Sequence, residues 1–83
     1  MTRKDYQLIS STLADVLEAA EYWSSFNEAE RTAARRAVAE VTMRLGEAFL
    51  DDNSRFDFGR FAGAVGLRFS VLGPIDAATG ELI

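Results

Sequence analysis

Residues 27–50 read NEAERTAARRAVAEVTMRLGEAFL. The run has no proline and a single glycine, and it is rich in Ala, Arg and Glu, the strong helix formers. Asn27 followed by Glu30 has capping-box spacing, and the early acids Glu28 and Glu30 suit the positive end of a helix dipole. A helix over 28–50 is therefore expected. At about 1.5 Å per residue it spans roughly 35 Å, as long as a small domain is wide. Two apolar lines run along it. Ala34, Ala37, Val38, Val41, Leu45, Ala48 and Phe49 form the main face, and Ala39, Met43, Gly46 and Leu50 lie roughly 100° away. A helix apolar on two sides packs against two neighbours. Gly46 costs about 1 kcal/mol relative to Ala in a helix interior, so a close approach by another element is expected there. The second stripe is covered either by the C-terminal third of the chain or by a second copy, which would make Met43, Gly46 and Leu50 a dimer interface.

Upstream, Tyr6, Ile9, Leu13, Val16, Leu17, Ala20 and Trp23 recur at steps of three and four and predict a first helix over 3–25. Thr2 is its N-cap, with Asp5 three residues on. The two long helices are expected to form an antiparallel hairpin with a very short turn. Downstream, Asp51-Asp52-Asn53-Ser54 is a polar break. Asp57 then caps a short helix over 58–65 whose apolar face is Phe58, Phe61, Ala62 and Val65, and Gly66 ends it. From Leu67 the period changes to two: Leu67, Phe69 and Val71 alternate with Arg68 and Ser70. Gly73-Pro74 reads as a break and Asp76–Gly80 as a turn, so residues 67–83 are an extended tail or a small hairpin of Phe69–Leu72 against Glu81–Ile83. The whole is one mainly α domain over 1–83, with the tail packed on the helices.

Composition excludes more than it names. The chain has 83 residues, no Cys and no His. Most zinc, haem and iron–sulfur sites and the Ser-His-Asp and Cys-His nucleophile systems are thereby removed. No glycine-rich phosphate loop is present. Asp51, Asp52, Asn53 and Asp57 do not have EF-hand spacing, since position 62 is Ala, and capping explains them better. No metal, no cofactor and no catalytic residue is expected. No apolar run reaches the length of a membrane span. The start Met1–Asp5 is charged and no apolar signal core follows, so a cytoplasmic protein is expected.

Three groups of side chains are candidates for binding. Asp15, Glu18 and Glu21 form an acidic ridge on the outer face of the first helix, with Tyr22 beside them. Exposed tyrosine next to carboxylates is a common ingredient of protein-binding surfaces, and equally a solvated helix face. Arg31, Arg35 and Arg36 sit early in the second helix, where the dipole disfavours cations. They form either an anion site or ion pairs with Glu18, Glu21 or Glu28, continued by an Arg36–Glu40–Arg44 ladder. With Arg55 and Arg60 they make up a nucleic-acid reading. The net charge of −4 speaks against it, and a helix-turn-helix reading fails because the third helix offers only Arg60 to a base or phosphate.

Two stretches carry a resemblance: Thr2-Arg3-Lys4-Asp5-Tyr6 with Leu8-Ile9, and Asp52-Asn53-Ser54-Arg55-Phe56-Asp57 with Arg60-Phe61. With the Ala-rich helix between them they resemble small bacteriophage and prophage proteins of unknown function. Those open with T-R-K-D-Y and close with N-x-R-F-D-x-x-R-F and a short Ala/Gly-rich stretch. The resemblance covers roughly residues 2–66, and this chain departs from it by continuing with the strand-like tail. It implies a phage or mobile-element setting, carries no activity, and singles out Tyr6, Arg55, Phe56, Asp57, Arg60 and Phe61. The expectation is a non-enzymatic accessory protein that binds a host or phage protein. By analogy of setting alone, it would inhibit a host or defence factor such as a CRISPR effector. The alternatives are the arginine-based nucleic-acid regulator and a homodimeric structural protein.

Overall fold

A computed structural model describes residues 1–83. The chain runs α1 (Arg3–Ala19), a 3-10 turn (Ala20–Tyr22), α2 (Glu28–Asp52), α3 (Phe58–Val65), β1 (Leu67–Ser70) and β2 (Gly73–Asp76). It is mainly α with a two-stranded antiparallel sheet.

The helix ends follow local chemistry. The Thr2 hydroxyl accepts the Asp5 amide at 3.3 Å, and the Asp5 carboxylate accepts the Thr2 amide at 2.9 Å. Asn27 and Glu30 repeat the same reciprocal box at the start of α2. Asp57 accepts the Arg60 amide at the start of α3, and Gly66 closes that helix at φ 101°, a left-handed conformation that suits glycine. The first helix is shorter than its apolar period suggests. It tightens into the 3-10 turn after Ala19, and Trp23 leaves the helix in an extended conformation. The phase that would turn Trp23 inward is thereby lost. Its ring is 39% exposed and stands edge-on to Phe26, 5.1 Å between centroids.

The buried line of α2 takes Ala39 and Gly46 from the second expected stripe and adds Thr42. Ala39, Thr42 and Gly46 are buried, whereas Ala37, Val41 and Ala48 of the expected main face are exposed. Both α1 and α3 pack on this helix, and the line beneath the seam between them is the one that loses water. Thr42 fits there because its hydroxyl donates to the Val38 carbonyl at 2.8 Å. The Gly46 stripe is covered within the chain, since the Phe58 ring lies directly over Gly46. Gly46 is thus closed to the dimer interface considered for Met43, Gly46 and Leu50. Met43 is half-buried, and Leu50 is 41% exposed. The most extensive packing of α1 is against α3 rather than α2.

Two clusters hold the fold. At one end Ala39, Val65, Leu67 and Ile83 form an aliphatic core flanked by Leu13, Leu17 and Phe69. At the other, Tyr6, Phe49, Phe56 and Phe61 stack edge-on or tilted at 4.8 to 5.5 Å. Such pairs contribute about 0.5–1.5 kcal/mol each beyond their buried area.

The hairpin differs from the expected pairing. β1 pairs with Gly73–Asp76, in the register Leu67↔Asp76 to Ser70↔Gly73, across the two-residue tip Val71-Leu72. Glu81–Ile83 adds only one bridge, Ile75↔Leu82, on the far side of β2. Gly73 at φ 122° makes the tight turn, so Gly73-Pro74 does not end the strand run. The Pro74 carbonyl accepts the Ile83 amide at 3.0 Å. In an antiparallel strand the N–H and C=O of one residue share an edge, so the donor that Pro74 lacks faces the tail and no β1–β2 bond is lost. Residues 76–80 form the expected turn, closed by the Asp76 carboxylate on the amides of Ala78 and Thr79.

Candidate functional site

The first turns of α1, the 53–57 connection and α3 enclose an open cleft of about 540 Å3. That is within the usual range for ligand sites, about 300–1,000 Å3. Arg3, Arg55 and Arg60 stand around it, all exposed, and Tyr6, Phe56 and Phe61 lie beneath them. Every one of the six residues singled out by the resemblance lines this cleft. The two motif stretches lie far apart in sequence and meet because α1 packs on α3 and because Tyr6 stacks on Phe56 at 4.8 Å.

The arginines fall into two sets. Four are held within the fold. Arg31 donates to the Phe26 carbonyl at 2.6 Å and pins the loop before α2. Arg35 bridges Glu21 at 3.1 Å and Asp76 at 3.0 Å, tying the 3-10 turn and the β2 end to α2. Arg36 donates to the Ile83 carbonyl at 3.1 Å, and Arg44 pairs with Glu40 at 2.8 Å, which raises the pKa of its guanidinium. The guanidinium groups of Arg3, Arg55, Arg60 and Arg68 have no partner in the fold, and three of those four line the cleft. One carboxylate, Asp57, faces the same space, and its Oδ1 is engaged with the Arg60 amide at 3.0 Å.

The five arginines of the nucleic-acid reading therefore part company. Arg31, Arg35 and Arg36 are structural ties, while Arg55 and Arg60 stand free at the cleft. Arg3 was missed by the sequence reading, because nothing local distinguishes a free arginine in a first turn from any other.

The acidic ridge divides in a similar way. Asp15, Glu18, Glu21 and Tyr22 are all exposed, Tyr22 at 78%. Glu21 is engaged with Arg35, while Asp15 and Glu18 have no cationic partner. Leu8, 66% exposed, lies on the same outer side of α1, so the face carries apolar groups at both ends and carboxylates between them. A smaller exposed apolar group is the hairpin tip, Val71 and Leu72, with Leu82 beside Gly73. No cluster of acidic side chains is arranged to hold a metal ion, and no helix is long and apolar enough to cross a membrane. Comparison with protein-family models, curated proteins and solved structures finds no match for the chain.

Proposed function

We propose that this chain is a small non-enzymatic protein that acts by binding another protein. Surplus surface carries the reading. The fold exposes 5736 Å2, whereas a monomer of 9.1 kDa exposes about 4,900 Å2 by the usual size scaling. The excess of roughly 800 Å2 is comparable in size to what one partner contributes to a standard interface. The chain is elongated, 39 × 26 × 19 Å, and ten large hydrophobic side chains remain exposed. The outer face of α1 is the surface best suited to contact. Leu8 and Tyr22 supply apolar area, and the unpaired Asp15 and Glu18 steer toward a basic patch. In the phage or mobile-element setting that the resemblance implies, the partner is a host or phage protein, with inhibition of a host factor as the expected consequence.

The test is affinity capture from infected or lysogenic cells with the native chain and a D15A/E18A/Y22A variant. Loss of a partner with the variant supports this face. Retention of every partner removes it, and sedimentation as a dimer at micromolar concentration would assign the surplus area to a second copy instead.

A further inference from the structure

We propose that the cleft between α1, the 53–57 connection and α3 is a binding site for a short acidic segment of a protein, carboxylates on an extended chain with an apolar side chain between them. The inference rests on the reading that the chain binds protein, but not on the outer face of α1. Three guanidinium groups without internal partners, Arg3, Arg55 and Arg60, ring the opening. Three unpaired arginines against the one carboxylate of Asp57 leave the cleft net positive on a chain of net charge −4. Arginine is also the side chain that grips a planar carboxylate with two parallel donors.

The surroundings choose among anions. Acidic residues flank the cleft along the chain: Asp5 in the first turn of α1, and Asp51 and Asp52 directly before Asn53, all exposed. Carboxylates this near the lining residues in the chain disfavour a long polyanion and suit a ligand whose charge is short and local. The aromatic floor is not a stacking platform. Tyr6, Phe56 and Phe61 pack edge-on and tilted on one another and on Phe49, and Phe61 is buried, so they do not form the row of parallel open faces that stacks successive bases. What they and Ala64 present between the arginines is an apolar floor. An apolar side chain sits on it while the neighbouring carboxylates reach the rim. A lone inorganic anion would leave most of a cleft of about 540 Å3 unused.

Fluorescence anisotropy tests this with a labelled peptide of glutamates interspersed with leucine. Its lysine-for-glutamate counterpart, labelled oligothymidine and inorganic phosphate serve as comparison probes. The glutamate peptide is expected to bind, and to bind more tightly as salt is lowered. The R55Q/R60Q variant is expected to weaken it about five- to tenfold, the sum of two exposed charge contacts. R3Q weakens it less, and R68Q, outside the cleft, leaves it unchanged. Circular dichroism of each variant should match the native chain, since none of these side chains makes an internal bond. No peptide binding at low salt overturns the proposal, as does equal loss with R68Q. Binding of oligothymidine or phosphate in place of the peptide overturns it too. All of these outcomes are independent of whether D15A/E18A/Y22A retains its captured partners.

Discussion

The Phe58 ring lies over Gly46 so closely that a Cβ on residue 46 would stand 2.5 Å from Phe58 Cε2 and 2.7 Å from Cδ2. The third helix can approach α2 at this point because position 46 has no side chain. The same ring meets Phe69 of β1 at 5.8 Å, so one phenylalanine links α2, α3 and the sheet.

Gly46→Ala is therefore expected to destabilise the fold by up to about 2 kcal/mol. Alanine favours the helix by about 1 kcal/mol, but overpacking of this kind costs about 1–3 kcal/mol. Urea unfolding of G46A, F58A and the double variant checks the cause. In the F58A background the alanine should be stabilising, because only the helix preference remains. Destabilisation of equal size in both backgrounds would show that the ring is not responsible.

Gly63→Ala is expected to have the opposite sign. Position 63 is an exposed helical site in α3, and a Cβ there meets nothing within 4 Å. The substitution should raise the unfolding free energy by about 0.5–1 kcal/mol through helix preference alone. A lower melting temperature for G63A would contradict this account of α3.

Arg35→Met should loosen the end of the molecule opposite the cleft. Arg35 and Asp76 are each about a quarter exposed, and Glu21 about half, so the bridge is partly screened. A cost of about 1 kcal/mol is expected, smaller in high salt than in low. Amide exchange at Ala78, Thr79 and Ile83 should rise before exchange in the aromatic cluster does. A uniform rise throughout the chain would show that the bridge does not act locally.

The start of α1 should respond to acid. Hydrogen bonds from the backbone amide and then the hydroxyl of Thr2 hold the Asp5 carboxyl below its ordinary pKa of 3.8. A depressed folded value means that the stabilisation is fully present above pH 3.8. It is lost as pH falls through the lower folded value. NMR shifts of the Thr2 and Asp5 amides should report the change below pH 4, and Asp5→Asn should abolish that dependence. A transition near pH 6 would point to some other group.

Much of the architecture was legible in the chain because it is local. The caps at Thr2, Asn27, Asp57 and Gly66 are decided within three or four residues, and each stands where its spacing put it. The main face of α2 was misjudged at Ala37, Val41 and Ala48 for the opposite reason. Which line of a helix loses water depends on where its neighbours cross, and Thr42 at the centre of that line carries a hydroxyl that sequence patterns count as polar. Trp23 was misjudged because the 3-10 turn shifts the phase by an amount no periodicity contains. The hairpin was misread at Gly73-Pro74, where a turn and a break have the same composition and only the pairing partner separates them.

The candidate cleft divides along the same line. Sequence alone settled that no Cys or His chemistry is possible, that the charge is negative and that arginine supplies nearly all of the cations. It also marked the residues of both motif stretches. Whether a given arginine is a tie or a free contact was decided only by the tertiary structure. Arg35 finds Asp76 forty-one positions away, and Arg36 finds the Ile83 carbonyl forty-seven away. Arg3, Arg55 and Arg60 find nothing. Charge is a property of the residue, but its availability depends on what the fold brings within hydrogen-bonding reach.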